Sequence, residues 1–153
     1  MMSKVRKIAI GAVLAAAGLI AAPAAQAATV SPAASAACPS AYFCFYFNSG
    51  NAGAHGDYFH SDGNLGDELF NKVGTTSNGL GVQVKNHAAS VTNNWSYTAT
   101  VYYNSGCNGS VASQSFAPYS SGNFNATMKN QNASFKWPGS AGASSDCANR
   151  DQF

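Results

Sequence analysis

The residues best suited to chemistry in this chain are its four cysteines, Cys38, Cys44, Cys107 and Cys147. A thiol can act as a nucleophile, hold a metal or form a disulfide, and spacing helps to separate these uses. Cys38 and Cys44 are six positions apart with no second close pair, which is poor spacing for a zinc site. The even count, together with the export signal described below, is typical of a disulfide framework.

Four cysteines allow three pairings on paper. We favour Cys38–Cys44, because Pro39 and Ser40 can turn the short segment back and bring the two α-carbons to about 6 Å. We favour Cys107–Cys147 as the second pair, which ties the last segment to the second half of the chain. The loop-closure model gives ~2.4 kcal/mol for the short loop and ~4 kcal/mol for the long one.

The remaining polar residues give little support to catalysis. The chain has no Gly-x-Ser-x-Gly nucleophile elbow. His55 and His60 lack the i, i+4 spacing of a helix and would point to opposite faces of a strand, so with His87 they are interpreted as surface residues. Four carboxylates lie in polar segments interrupted by glycine, and we interpret them as solvated surface charges: Asp57, Asp62, Asp67 and Glu68. The sequence predicts a protein that is not an enzyme.

An internal repeat indicates how the chain is organised. Tyr46–Gly53 and Tyr102–Gly109 both place two aromatic residues before Asn-Ser-Gly and end on a second glycine. Lys85–Val91 and Lys129–Phe135 share the pattern Lys-Asn-x-x-Ala-Ser. The first half is longer, and we place its insertion within Asn71–Gly81, which has a loop-like composition. A unit of this size that cannot bury its own apolar face should pack against its copy.

The elements that carry these residues are predicted to be β-strands. Short segments rich in aromatic and β-branched residues alternate with clusters of Gly, Asn and Ser. No later segment shows a sustained helical period, so the pattern favours a sandwich or barrel. The predicted strands are Tyr42–Phe47, Val82–Val84, Ala89–Trp95, Thr98–Tyr103, Val111–Phe116 and Ala133–Trp137.

The start of the chain has the order of a secretory signal peptide. A basic start precedes an apolar run from Ile8 to Ala22, and Ala25-Gln26-Ala27 supplies the cleavage signal. The run is shorter than the ~20 residues that span a bilayer. We predict a signal peptide over residues 1–27, a disordered leader over 28–37 and one domain over 38–153. The mature protein is expected to be secreted and extracellular, with no membrane partner.

Removal of the signal peptide changes the charge of the chain. Three of its eight basic residues lie before position 28, which leaves five against six acidic residues and a net charge of −1. Nucleic acid is therefore not an expected partner. The mature domain is expected to be a monomer.

The repeated units resemble the Greek-key motif of the βγ-crystallins. The opening Cys38–Tyr46, which reads Cys-Pro-Ser-Ala-Tyr-Phe-Cys-Phe-Tyr, resembles the start of a family of secreted actinobacterial peptidase inhibitors with that fold. The resemblance extends from Cys38 to about Trp137. It implies an all-β, βγ-crystallin-like double Greek-key sandwich, stapled by disulfides, that inhibits extracellular metallopeptidases. Its partner would be an extracellular peptidase, and it would need no cofactor.

The crystallin resemblance also implies where calcium would bind. The corresponding positions, which are degenerate here, are Asn86, Ser90, Asn130 and Ser134. His87 and Gln131 replace the second Asn or Asp of each motif, and neither segment contains a carboxylate. Because calcium prefers six to eight oxygen ligands, often charged, we expect weak calcium binding or none, and turn-capping roles for these residues.

Two loops could enter a peptidase cleft. The first is the turn after the second aromatic strand, whose candidate inhibitory residues are Asn104, Ser105, Gly106, Cys107 and Asn108. Cys107 would anchor this turn. The second is Asn71–Gly81, whose glycines predict a flexible loop. The sequence therefore favours the turn at Cys107 and identifies no scissile bond.

Two other functions remain open from the sequence. A secreted crystallin-type module could bind cell-wall sugar or act like a toxin, since exposed aromatics beside Asn and Gly loops suit stacking on sugars. A structural protein stabilised by weak calcium is the other alternative.

Overall fold

The computed structural model describes residues 37–139, 141 and 146–148. The predicted signal peptide and most of the leader lie outside these residues. The described part forms seven strands and no helix, so it contains no helical segment that could cross a membrane. The strands are β1 (Phe43–Asn48), β2 (Ala52–Tyr58), β3 (Ser90–Asn93), β4 (Ala99–Tyr102), β5 (Ser113–Phe116), β6 (Ser120–Asn123) and β7 (Ser134–Lys136).

The strands form two antiparallel sheets, and backbone hydrogen bonds connect each sheet to the other half of the sequence. Sheet 1 has the order β2-β1-β3-β6, and sheet 2 has the order β5-β4-β7. β6 from the second half pairs with β3 from the first. In return, Asp62 from the first half exchanges two backbone hydrogen bonds with Phe135 of β7, at 3.0 and 2.9 Å. The two halves of the sequence are therefore joined by backbone pairing, through β6 in sheet 1 and through Asp62 at the edge of sheet 2.

Aromatic side chains fill the space between the sheets. Phe43 and Phe45 point inward from β1, and both are fully buried. The ring of Phe43 stacks on Phe135 of β7, with centroids 5.3 Å apart, and meets the edge of Trp137 at 5.9 Å. Offset and edge-to-face pairs of this kind add to the free energy of burial. The aromatic run that predicts β1 is therefore also the centre of the core.

The structure corrects the predicted strands in three places. β2 and β6 were not predicted, because Ala-Gly-Ala-His-Gly-Asp-Tyr and Ser-Ser-Gly-Asn have low strand propensity. Pairing with β1 and β3 holds these two segments extended. The predicted strand Val82–Val84 is wrong: it forms only an isolated bridge, between Gln83 and Leu69.

The structure also corrects the interpretation of several polar side chains. His55 and Asp62 are fully buried, and Glu68 is almost so. His55 lies under the ring of Tyr46, and its Nε2 is 3.1 Å from an Asp57 carboxylate oxygen. The prediction of surface position is therefore wrong for His55, Asp62 and Glu68. Strand pairing, which the local sequence does not reveal, buries them.

The Asn71–Gly81 segment is hydrogen-bonded along β2, so the prediction of a flexible loop is wrong. Lys72 exchanges two backbone hydrogen bonds with His55, both at 3.0 Å, and Asn78 accepts the N–H of Ala54 at 2.8 Å. Gly79 is packed against the ring of Phe47 so closely that no side chain would fit there. The insertion covers the outer edge of sheet 1.

Two disulfides close the described part of the chain. Cys38 bonds Cys44, and Cys107 bonds Cys147, with α-carbons 5.9 Å apart in both cases. These are the pairs that the sequence favours. The first disulfide connects the segment before β1 to β1 itself, and the second connects Cys147, near the C-terminus, to the turn after β4.

Peptide mapping without reduction is expected to yield the linked pairs Cys38–Cys44 and Cys107–Cys147. Cys107→Ser should lower the free energy of unfolding more than Cys38→Ser, by about 1–2 kcal/mol, because it releases the longer loop in the unfolded chain. Urea titration measures the difference. A free thiol or a Cys44–Cys107 peptide in the wild type would contradict this pairing.

Tyr58 is a buried titratable group in the core. Burial, together with the nearby carboxylates of Glu68, Asp62, Asp57 and Asp67, raises the pKa of its hydroxyl well above the ordinary value of 10.0. That hydroxyl has no hydrogen-bond partner among the described residues. The hydroxyl therefore loses its proton at lower pH in the unfolded chain than in the folded protein. The contribution of neutral Tyr58 to the free energy of unfolding is fully present below pH ~10 and is lost as the pH rises above that value.

Tyr58→Phe is therefore expected to reduce the alkaline loss of stability. At pH 7 the variant should be as stable as wild type or up to ~1 kcal/mol more stable, because it removes an unpaired buried hydroxyl. Urea unfolding between pH 7 and 11 measures both effects. Tyr119→Phe, at an exposed position, is the control that should keep the wild-type profile.

Candidate functional site

The two repeated units build the same folded hairpin. In the first, the Ser90 hydroxyl donates to the carbonyl of Asn48 at 2.5 Å and accepts the N–H of Asn51 at 2.9 Å. In the second, the Ser134 hydroxyl donates to the carbonyl of Asn104 at 2.6 Å and accepts the N–H of Cys107 at 3.0 Å. Both serines are fully buried. One hydroxyl therefore closes each turn from the inside.

Backbone conformation repeats with the hydrogen bonds. Gly50 and Gly106 have φ of 71° and 69°, and the residues that follow them, Asn51 and Cys107, have φ of 57° and 53°. Two consecutive residues in the left-handed region turn the chain back over the sheet, and glycine at the first of them adopts its positive φ without the strain that a side chain would add. The cysteine at position 107 adopts this conformation because the serine and the disulfide both hold it.

The turn at Cys107 is fixed to its surroundings on several sides. The N–H of Gly106 donates to the carbonyl of Gly63 at 2.7 Å, and the Lys85 ammonium donates to the Ser105 hydroxyl at 2.9 Å. Gly63 is packed directly against the backbone of Cys147, so a side chain there would collide with it. The disulfide, the serine and these contacts hold the candidate turn Asn104–Asn108 to the body of the domain.

Beyond Cys107 the chain protrudes into solvent. Residues 108–111 are all exposed, and the Val111 side chain is 61% exposed. The N–H of Ser110 donates to the Asn108 side chain at 2.8 Å, and Asn104 reaches the Ser110 hydroxyl at 3.3 Å. Among the described residues, the turn is thus exposed but internally bonded. The exposure of Val111 was not identified from the sequence, which makes it the first residue of the predicted strand Val111–Phe116, whereas β5 begins only at Ser113.

The calcium-motif positions hold the hairpins together in this structure. The hydroxyls of Ser90 and Ser134 close the two turns, while Asn86 and Asn130 lie at the surface with φ of 63° and 56°. Their N–H groups donate to the carbonyls of Asn132 and Ala88, at 2.8 and 3.0 Å. Within residues 37–139, 141 and 146–148, no three His, Cys, Asp or Glu side chains form a group that could hold a metal.

A lysine side chain lies beside polar groups in each of the two units. Lys85 Nζ bonds the Ser105 hydroxyl and lies 3.3 Å from the Asn64 side-chain oxygen. At the matching place in the other unit, Lys129 lines an open pocket beside Ser49 and Asn130. The Lys85 ammonium next to the Ser105 and Asn64 oxygens disfavours a divalent cation there.

Calcium binding is therefore expected to be absent or weaker than about 1 mM. Calorimetry of calcium added to chelator-treated protein measures it, and the midpoint of thermal unfolding should not change. A micromolar dissociation constant that is lost in Ser90→Ala or Ser134→Ala would show that these hydroxyls are ligands.

Comparisons with known proteins agree with this architecture. A solved structure from work on the evolution of the eye-lens βγ-crystallin domain fold superposes with a TM-score of 0.52, over 65% of this chain and 88% of that chain, at 11% sequence identity. The likeness confirms the βγ-crystallin-like fold. No curated protein matches the chain significantly. The model of peptidase inhibitor family I36 matches residues 31–114, more than half of the chain. The chain belongs to this family and is a non-enzymatic peptidase inhibitor whose partner is a peptidase.

Proposed function

We propose that this protein is exported and inhibits extracellular metallopeptidases by inserting the turn Asn104–Asn108 into the active-site cleft. The observation that carries the proposal is that this turn is both exposed and fixed. The family supplies the inhibitory activity. The metallopeptidase target rests on the resemblance of the opening Cys38–Tyr46, and export rests on the signal-peptide pattern and the two disulfides.

Rigidity favours inhibition because an ordered loop loses little conformational entropy when it binds. The turn is held by the Cys107–Cys147 disulfide, by the Ser134 hydroxyl, by the carbonyl of Gly63 and by the Lys85 ammonium. A peptidase that binds it gains contacts without first having to order it.

The exposed part of the turn offers chemistry that a peptidase cleft can recognise. Ser105, Gly106 and Asn108 expose their surface to solvent for contact with the cleft. Val111 presents an apolar side chain that would bury area in a hydrophobic pocket. We propose Val111 as a flanking contact outside the turn itself.

The same restraints explain how the turn would resist digestion. β4 and β5 pair on either side of it, from Ala99↔Phe116 to Tyr102↔Ser113. A cut within the turn would leave both new ends held in place by the strands and the disulfide. Because the ends cannot diffuse apart, rejoining would compete with release of the product.

A matched pair of serine variants tests the role of the turn. Ser134→Ala and Ser90→Ala each remove one buried hydroxyl and two hydrogen bonds, so both should lose about 1–3 kcal/mol of unfolding free energy. Ser134→Ala loosens the Cys107 turn and should raise the inhibition constant about tenfold or more. Ser90→Ala loosens the other hairpin and should inhibit as wild type does.

Inhibition constants against a panel of secreted metallopeptidases and serine peptidases, measured where all variants remain folded, give the result. Replacing both Asn104 and Asn108 by Ala should also weaken inhibition, since it removes the side-chain bonds to Ser110. Equal inhibition by wild type, Ser134→Ala and the double variant would place the inhibitory surface elsewhere. Inhibition of serine peptidases alone would refute the metallopeptidase target.

A further inference from the structure

The end of the sandwich opposite the Cys107 turn carries a cluster of aromatic side chains. β1 begins there and β3 ends there, since Phe43 pairs with Asn93. β6 also begins there, because Ser120 pairs with the same Asn93. β4 runs from this end towards the Cys107 turn. The loops that meet here contribute a set of rings that we call the aromatic end: Tyr42, Phe59, Trp95, Tyr97 and Tyr119.

Four of these rings form a continuous row. The centroids of Tyr42 and Phe59 are 5.6 Å apart, and Phe59 stacks on Trp95 at 5.4 Å and 22°. Trp95 in turn meets Tyr97 edge-on at 5.3 Å. All four are only half-buried, so the row is fixed by mutual contact and still reaches solvent.

Tyr119 stands out because its backbone is strained and its side chain is unburied. Its φ is 52°, in the left-handed region that bulky residues avoid, and its side chain is 70% exposed. It follows Pro118 at a turn position where glycine is preferred. Its N–H donates to the carbonyl of Trp95 at 3.1 Å, which places it beside the row.

Local structure accounts for the other described non-glycine residues with positive φ. They are Ala41, in the turn closed by Cys38–Cys44, and the four repeat positions Asn51, Asn86, Cys107 and Asn130. Of the described non-glycine residues with positive φ, Tyr119 alone combines this conformation with a large side chain exposed to solvent. Backbone strain of this kind at a side chain that is 70% exposed points to a function for the projecting ring.

The surroundings of the aromatic end indicate the partner. Ser40, Ser96 and Thr98 lie exposed around the rings and offer hydroxyl groups. From Thr98 a groove continues over the outer face of sheet 2, lined by Thr100, Tyr102 and Lys136. Aromatic faces and hydroxyls along a groove match the C–H faces and hydroxyls of a sugar chain.

A nucleic acid would need several cationic groups, and a protein interface is usually richer in arginine.

We propose that the aromatic end binds an uncharged polysaccharide, with Tyr119 and the Trp95 row as the stacking surface. Because this surface and the Cys107 turn lie at opposite ends of the strands, polysaccharide and peptidase can be bound together. Binding would hold the inhibitor on an insoluble wall or substrate at which secreted peptidases act. The binding itself does not depend on the inhibitory function.

Retention on insoluble cellulose and on insoluble chitin tests the proposal, with the full exported protein and no peptidase present. Wild type should be retained on at least one of them, at low and high salt alike, and released by the corresponding soluble oligosaccharide. Tyr119→Gly removes the ring and relieves the strained φ, so it should be at least as stable as wild type. Its retention should fall about tenfold or more.

Val111→Ser, at the opposite end, is the matched control and should be retained as wild type. Absence of wild-type retention on both polysaccharides would overturn the proposal, as would equal retention of Tyr119→Gly. A Tyr119→Gly protein with weakened peptidase inhibition would identify the aromatic end as a protein contact instead, which also overturns it. Since retention is measured without a peptidase, failure of the inhibitory proposal would leave this result unaffected.

Discussion

The architecture of this protein depends on one buried hydroxyl in each half. Ser90 and Ser134 each bridge a carbonyl and an N–H three residues apart, inside a turn that has two consecutive left-handed residues. Without the hydroxyl, two backbone polar groups in the turn would lose their partner, at a cost larger than the net gain from an ordinary hydrogen bond. The bond therefore decides the path of each hairpin, and with it the position of everything attached to the turn.

The two halves use the same device for different purposes. In the first half, the turn residue Asn51 donates its side-chain amide to the carbonyl of Val91, at 2.9 Å, and so seals the turn onto β3. In the second half, the corresponding residue is Cys107, which bonds the C-terminal segment instead. The connection beyond it is longer, with ten residues between β4 and β5 against three between β1 and β2. The same serine-closed turn thus occurs twice, and only the second is followed by a long exposed connection.

The sequence predicts the strands and turns whose own residue types determine their structure. The aromatic run of β1 and the repeated Lys-Asn-x-x-Ala-Ser segments identify the fold, because their residue types match their burial. β2 and β6 could not be predicted, since partner strands rather than their own glycine and serine residues hold them extended. The burial of His55 and Asp62 was missed for the same reason. At the candidate site, the cysteine indicates the turn, whereas the exposure of Val111 follows only from how β4 and β5 are joined.

The edge strands β2 and β5 both carry hydrogen bonds to segments outside their sheets. Residues 72–78 lie along β2, and the Gln114 side chain of β5 bonds the backbone of Asn123 and Asn125. Peptidases commonly hold a substrate as an added extended strand, through backbone N–H and carbonyl groups that must be unpaired. With those groups already bonded along β2, the domain presents little extended backbone for cleavage there. A peptidase inhibitor whose edge strand β2 is already hydrogen-bonded can thus avoid being bound there as a substrate, because little unpaired backbone remains along that edge.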